Sequence, residues 1–203
     1  MRLPVFVLLL AVSASFARCF ADGLPVTVLV SFEHSHPAAS LNAMEHQLDS
    51  MLAGTGLKLV LRDRSAVPPR AEFGELLVFK MKGHCSMDAL PVAALSDERG
   101  PLAMAYSSDG TVLPFGEVEC DTVRHSLQRL VGKYNPRAYQ SAFDAALGMV
   151  MAHEIYHMLA QTPEHTHRGV TKASLSAQEL FEGKLSLPAI ARIAIRQAPV
   201  AAQ

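Results

Sequence analysis

The sequence lacks a strong excess of charge of either sign. Its formal net charge is −1 at pH 7, and its 18 lysines and arginines do not gather into a basic stripe. Proteins that bind nucleic acid usually carry such a patch to neutralise phosphates. We therefore expect no nucleic-acid partner. The sequence also lacks internal repeats, and its length is typical of one domain, so we predict a single domain.

Long apolar runs are lacking beyond the N-terminus. Arg2 precedes an apolar run over 3–12 that is too short for a stable membrane anchor, and small residues follow it. This order is typical of a secretory signal peptide, with cleavage after Ala21 and Ala17 as the alternative. We predict a signal peptide at 1–21, a secreted or periplasmic protein, and no membrane association after cleavage.

Cysteine is scarce, and its count changes when the signal is removed. The chain has 3 cysteines, of which Cys19 falls in the predicted signal. Cys85 and Cys120 remain, and in an oxidising compartment an isolated pair is most simply a disulfide. We therefore predict a Cys85–Cys120 bond.

The predicted secondary structure is strands with one helix in the first part of the chain and helices in the later part. Apolar and β-branched runs predict strands at 26–32, 57–62, 76–82, 102–106 and 111–118. Apolar positions at helical spacing predict helices at 37–53, from Asp121, at 137–161 and from a capping box at 176–179 to about 183. This order predicts an α+β domain over 22–196 with one small twisted mixed sheet packed on helices, and a disordered tail at 197–203.

The most informative motif is H-E-x-x-H, formed by His153, Glu154 and His157. Positions i and i+4 of a helix share a face, so both imidazoles can reach one metal ion. Glu154 lies beside them, where it can take a proton from water that the metal activates. This is the arrangement of zinc metallopeptidases.

The surroundings of the motif favour a metal site. Asn135-Pro136 is a typical helix start, and the segment that follows is apolar nearly all round, which is typical of a buried helix. Histidines near the end of such a helix would be costly without partners, which a metal supplies. The competing interpretation is a helix end with solvated histidines.

Catalytic zinc takes three protein ligands and keeps one position open, so a third ligand must come from downstream. His165 is the first candidate, because it follows the helix break at Pro163 and the chain can turn back there. His167 is the second candidate. Glu179 is the third, although it already has a role as the N3 residue of the capping box.

The predicted sheet order, the helix with H-E-x-x-H and the third histidine resemble the metzincin class of zinc peptidases. The stretch His153–Ala160 with His165, Gly169 and Val170, together with the stretch 113–120, more closely resembles a group of uncharacterised secreted bacterial proteins that carry H-E-x-x-H. Metzincins usually have glycine and histidine where Ala160 and Pro163 stand here. They also have a methionine turn beneath the metal, whereas Thr171 follows Gly169-Val170.

The resemblance implies a metzincin-like fold with an antiparallel edge hairpin and a long active-site helix. It also implies that His153, His157 and His165 hold Zn²⁺, that Glu154 is the general base, and that the substrate is a peptide or protein. An edge strand, at 103–106 or 113–116, would align that substrate. We expect a monomer. The alternative is a non-catalytic zinc-binding module on a peptidase-like fold.

Overall fold

The computed structural model describes residues 25–87, 100–128, 130 and 137–197. The predicted signal peptide and the helix start at Asn135-Pro136 lie outside the described residues. Within the described residues, no helix has both the length and the apolar character needed to cross a bilayer.

One mixed sheet of five strands forms the scaffold. Its order is β2-β1-β3-β5-β4, in which β1, β2, β3 and β5 pair in parallel and β4 pairs antiparallel with β5. The predicted α+β class with a small mixed sheet is confirmed. The strands are β1 Val26–Phe32, β2 Leu59–Asp63, β3 Glu75–Lys82, β4 Ala103–Ser108 and β5 Thr111–Glu119.

The hairpin of β4 and β5 closes one side of the sheet. Asp109 and Gly110 form its turn with φ of 50° and 79°, a left-handed pair that suits the twist of a two-residue hairpin. Strand β4 is one edge of the sheet and β2 is the other, whereas β5 lies between β3 and β4. In the alternative segment 113–116, Phe115 and Gly116 already pair with β3, and Gly116 also pairs with Ala105 of β4, so this segment is not an edge strand.

The helices are α1 Ser40–Leu52, α2 Cys120–Gln128, α3 Arg137–Ala160, α4 Ala177–Glu182 and α5 Ala189–Gln197. The sequence did not predict α5. It packs on α3 through Ala191 and Ile195 while Ile190 and Ile193 stay exposed. The predicted disordered tail begins at Gln197, which is the last residue of α5, and otherwise lies outside the described residues.

Helix α3 runs through the centre of the molecule and is buried along most of its length, as its apolar composition predicts. One side packs on α1, and Gly148 permits the close approach: a Cβ there would lie 2.9 Å from the backbone oxygen of Met44. The other side meets β4 and β5. The core therefore holds α3 rigidly against the hairpin edge of the sheet.

The predicted disulfide is present. Cys85 and Cys120 are bonded, with a Cα–Cα distance of 5.0 Å, and both are buried. The bond ties the chain after β3 to the first residue of α2. It crosslinks positions separated by 35 residues and so restricts the unfolded chain.

Candidate metal centre

His153 and His157 lie on one face of α3, in its last two turns. Their Nε2 atoms are 3.0 Å apart. His157 is buried, and His153 is 13% exposed at its side chain. The helical spacing therefore brings the two imidazoles together as the motif predicts.

Each of these rings is oriented by a backbone carbonyl. His153 donates from Nδ1 to the Val170 oxygen at 2.8 Å, and His157 donates from Nδ1 to the Thr162 oxygen at 2.7 Å. A carbonyl can only accept, so Nδ1 carries the proton in both rings and both Nε2 atoms present lone pairs. Two lone pairs facing each other at 3.0 Å repel unless a cation lies between them.

Protonation does not relieve this arrangement at neutral pH. Burial lowers the pKa of His153 to about 4, and burial also lowers the pKa of His157. Both rings are therefore neutral at pH 7, the form in which imidazole binds a metal.

His165 joins the pair from the loop after α3. One ring nitrogen from each of His153, His157 and His165 lies within 4.8 Å of the others. His165 is exposed, so the group opens towards solvent on its side. The structure thus brings together the three histidines that the sequence placed first.

The chain reaches His165 through a sharp turn at the end of α3. Helix α3 ends at Ala160, one residue before the predicted end, because Gln161 has a φ of +49°. The Gln161 side chain donates to the Met158 oxygen at 2.6 Å and to the Val112 oxygen at 2.9 Å. It caps the helix and fastens the turn to β5.

The other two candidate ligands lie elsewhere. His167 is exposed and does not belong to the histidine group. Glu179 completes the predicted capping box with Ser176 and accepts two bonds of 2.6 Å from the Lys172 ammonium. The Lys172 ammonium and the Ser176 donors lower the pKa of Glu179 to about 2. Its carboxylate is therefore already engaged.

Glu154 is buried beside the histidines. Its carboxylate accepts a hydrogen bond from the Ala105 N–H on β4, and Oε1 lies 4.0 Å from Nε2 of His153. Burial raises the pKa of Glu154 to about 7, against the smaller opposing effect of the Ala105 N–H. A carboxyl group with such a pKa can both accept and release a proton at neutral pH.

These groups line a cleft of about 640 Å³. The segment from Gly100 through β4 lines the cleft, together with Thr122 and Ser126 of α2 and the segment Lys172–Leu175. Apart from Lys172 these lining residues are uncharged, and the three histidines and Glu154 line the same cleft.

The donor set suits zinc. Zinc prefers imidazole nitrogen, and its catalytic sites take three protein ligands and one open position. Here three imidazoles converge, two of them fixed by carbonyl acceptors, as ligating histidines usually are. A cation bound by both Nε2 atoms would remove the repulsion between the facing lone pairs of His153 and His157.

Sequence reasoning missed the backbone groups of the site. The Val170 and Thr162 carbonyls orient the histidines, and the Ala105 N–H holds Glu154. Backbone atoms carry no residue signature, so nothing in the sequence could have assigned them. The departures from the metzincin pattern at Ala160, Pro163 and Thr171 pointed only to unusual turns in this region.

Comparisons with known proteins support the fold. No family model matches the sequence, and no curated protein is significantly similar to it. The structure is similar to the crystal structure of a zinc-dependent peptidase from Methanocorpusculum labreanum (strain Z), with a TM-score of 0.53 at 13% sequence identity. The match covers 83% of this chain and 99% of that chain. The chain therefore has a zinc-peptidase-like fold.

Proposed function

We propose that the protein is a zinc-dependent metallopeptidase that hydrolyses peptide bonds. The observation that carries the proposal is the meeting of three imidazoles and a buried carboxyl group in one cleft. Similarity of the fold to a zinc-dependent peptidase supports it.

His153, His157 and His165 would hold the metal. Zn²⁺, when bound, lowers the pKa of water and polarises a carbonyl oxygen. Glu154 accepts the proton of the attacking water and delivers it to the amine nitrogen of the leaving group. Burial excludes competing solvent from the carboxyl group, and the Ala105 N–H keeps it aimed at the cleft.

The substrate would be an extended peptide aligned on β4. This strand is an edge of the sheet, and Ala103, Ala105 and Ser107 line the cleft with the histidines. The unpaired backbone groups of an edge strand can bind a further strand by main-chain hydrogen bonds. Such binding would lay the scissile bond across the base of the cleft.

The site also supports a metzincin-like assignment. An edge hairpin, a long helix with the motif and a third histidine after a sharp turn occur in the expected order. The turn differs from the usual metzincin pattern at Ala160, Pro163 and Thr171. We therefore place the protein near the metzincins and outside their usual subfamilies.

The geometry favours a hydrolase over a non-catalytic zinc module. A structural site would have a fourth protein ligand, and His167 is the further histidine that the sequence offers nearby. His167 lies outside the histidine group, and the exposed His165 leaves the group open to the cleft. In a site closed by four protein ligands, Glu154 would have no metal-bound water from which to accept a proton.

The Cys85–Cys120 bond supports an oxidising compartment. Together with the predicted signal peptide at 1–21, this leads us to propose a secreted or periplasmic monomer whose partners are peptide or protein substrates.

Metal analysis of the purified mature protein tests the proposal. We expect about one equivalent of zinc in the wild type and in His167→Ala, and much less in His165→Ala. The same preparations should be incubated with a peptide library, where chelator-sensitive cleavage that returns with zinc is expected. A wild type that takes up no zinc would overturn the proposal.

A further inference from the structure

We propose that Thr171 is a positioning residue that holds the loop of His165 in place for metal binding. This inference rests on the proposed zinc site. Thr171 is fully buried in the turn beneath the histidines, directly after Val170. Its hydroxyl lies 2.7 Å from the hydroxyl of Thr166, the residue that follows His165.

The direction of this hydrogen bond follows from its neighbours. The Thr166 hydroxyl donates its one hydrogen to the Arg168 carbonyl at 2.7 Å. It can therefore only accept from Thr171, whose hydroxyl is the donor. A backbone bond of 2.9 Å from the Thr166 N–H to the Thr171 oxygen runs alongside. Two parallel bonds thus join the residue after His165 to the buried turn.

The turn itself is anchored to the C-terminal part of the domain. The Val170 N–H donates to the Ser186 oxygen at 3.1 Å, and Val170 is fully buried. Gly169 has a φ of +73°, and a Cβ at this position would lie 2.3 Å from the same Ser186 oxygen. The turn therefore gives Thr171 a fixed base from which to act.

One short segment consequently serves two candidate ligands. Val170 orients His153 through its carbonyl, and Thr171 restrains the loop of His165 through its hydroxyl. His153 is also held by helix α3, whereas His165 lies on an exposed loop. The position of His165 thus depends more on this turn than the positions of the other two histidines do.

The test is zinc affinity, measured by competition with a chromophoric chelator. Thr171→Val keeps the shape of the side chain but removes the donor, and we expect about tenfold or more weaker binding, as for other groups that orient metal ligands. Thr171→Ser keeps the hydroxyl and should retain most of the affinity. Thr27→Val, a buried threonine on β1, is the matched control and should bind zinc as the wild type does.

A double-mutant cycle separates positioning from general loss of stability. If Thr171 acts through His165, Thr171→Val should have no further effect on zinc affinity in a His165→Ala background. The visible spectrum of the cobalt-substituted Thr171→Val protein should also change, because it reports ligand geometry. Equal zinc affinities and cobalt spectra for wild type and Thr171→Val would overturn the inference. Additive losses in the cycle would also overturn it.

The outcomes also distinguish this inference from the proposed function. A wild-type protein without zinc affinity would remove the proposed function and the inference together. A wild type that binds zinc and is weakened by His165→Ala but not by Thr171→Val would remove the inference alone.

Discussion

Helix α3 buries two carboxyl groups, Asp144 in its first half and Glu154 in its second. Asp144 is 4% exposed and Glu154 is 6% exposed. Burial raises the pKa of both. By burial and pKa direction alone, the two acids would be equally good candidates for a catalytic role.

Their surroundings separate them. Asp144 accepts a hydrogen bond of 2.8 Å from the Gln140 side chain, in the half of α3 that precedes the close contact with α1 at Gly148. Glu154 has a backbone partner on β4, lies against His153 and opens on the cleft. A perturbed carboxyl group therefore indicates chemistry only where substrate can reach it and metal-binding nitrogens lie beside it.

The largest expected effect is on catalysis. Glu154→Gln keeps size and helix propensity but cannot accept a proton at neutral pH. We expect kcat/KM on a cleaved peptide to fall by about 10²–10⁴-fold, the usual scale of general-base catalysis, while zinc stays bound. Asp144→Asn makes the same chemical change in the closed half of α3 and should leave kcat/KM within about threefold.

Steady-state kinetics on zinc-loaded proteins of known metal content provides the measurement. If Asp144→Asn lost activity as severely as Glu154→Gln, the two halves of α3 would not differ as argued. Equal turnover by wild type and Glu154→Gln would show that the cleavage does not use this carboxyl group.

Helix α3, its histidine pair and the capping box could be predicted from the sequence, because each depends on residues that are close together in the chain. The apolar segment after Asn135-Pro136 predicts α3, and the i, i+4 spacing brings His153 to His157. The capping box at Ser176 and Glu179 depends on neighbouring residues, and the structure contains it. Because the Glu179 carboxylate is held by the capping box and by Lys172, it is not available as a metal ligand.

Long-range features could not be predicted in the same way. The choice between His165 and His167 depends on the left-handed turn at Gln161, a conformation that glutamine rarely adopts and does not signal. Strand order decides that β4 is an edge strand and β5 is not, and the periodicity of the sequence carries no information about strand order. Helix α5 was missed although its sequence is amphipathic, with Ala191 and Ile195 buried at helical spacing.

The next prediction concerns the stability of the fold and not the catalytic reaction. Replacing both Cys85 and Cys120 by alanine removes a crosslink between positions separated by 35 residues. In the chain-entropy model this lowers the free energy of unfolding by about 3–4 kcal/mol. Chemical denaturation of the zinc-loaded protein measures it, with the reduced wild type as a second preparation.

Zinc content should stay near one equivalent in the double alanine variant, because α3 and the turn after it supply the three histidines. A loss of zinc in the folded variant would show that the cleft depends on the disulfide and would weaken the separation of scaffold and site. Two free thiols in the denatured, unreduced wild type would contradict the bond itself.

A smaller effect should follow pH in the metal-free protein. The folded pKa of Glu154 is raised to about 7, so its contribution to stability is fully present below about pH 4.5 and is lost as pH rises towards 7. Glu154→Gln should therefore become more stable than wild type over this window, by roughly 3 kcal/mol at pH 8. Asp144→Asn should show the same direction.

Melting temperatures from pH 4 to 8 in the presence of a chelator measure this difference. Burial lowers the pKa of His153 to about 4, so the titration of this histidine lowers the stability of the fold as pH falls. This contribution is present in both proteins and cancels when their melting temperatures are compared. Zinc should abolish the advantage of Glu154→Gln, because a nearby cation stabilises the ionised carboxylate of the wild type. A difference independent of pH would mean that Glu154 is ionised normally in the fold.

The smallest effect extends the comparison to a third carboxylate, which is ion-paired and partly exposed. Glu179→Ala removes one half of the capping box at α4, and Ser176→Ala removes the other half without touching any candidate ligand. Each should lower the free energy of unfolding by about 1 kcal/mol, the usual value of a helix cap. Neither should change zinc affinity, because the Glu179 carboxylate is held by Lys172 and Ser176. Chelator competition on the two variants decides the matter: weaker zinc binding in Glu179→Ala alone would make Glu179 a ligand, and it would then belong with the histidines at the base of the cleft.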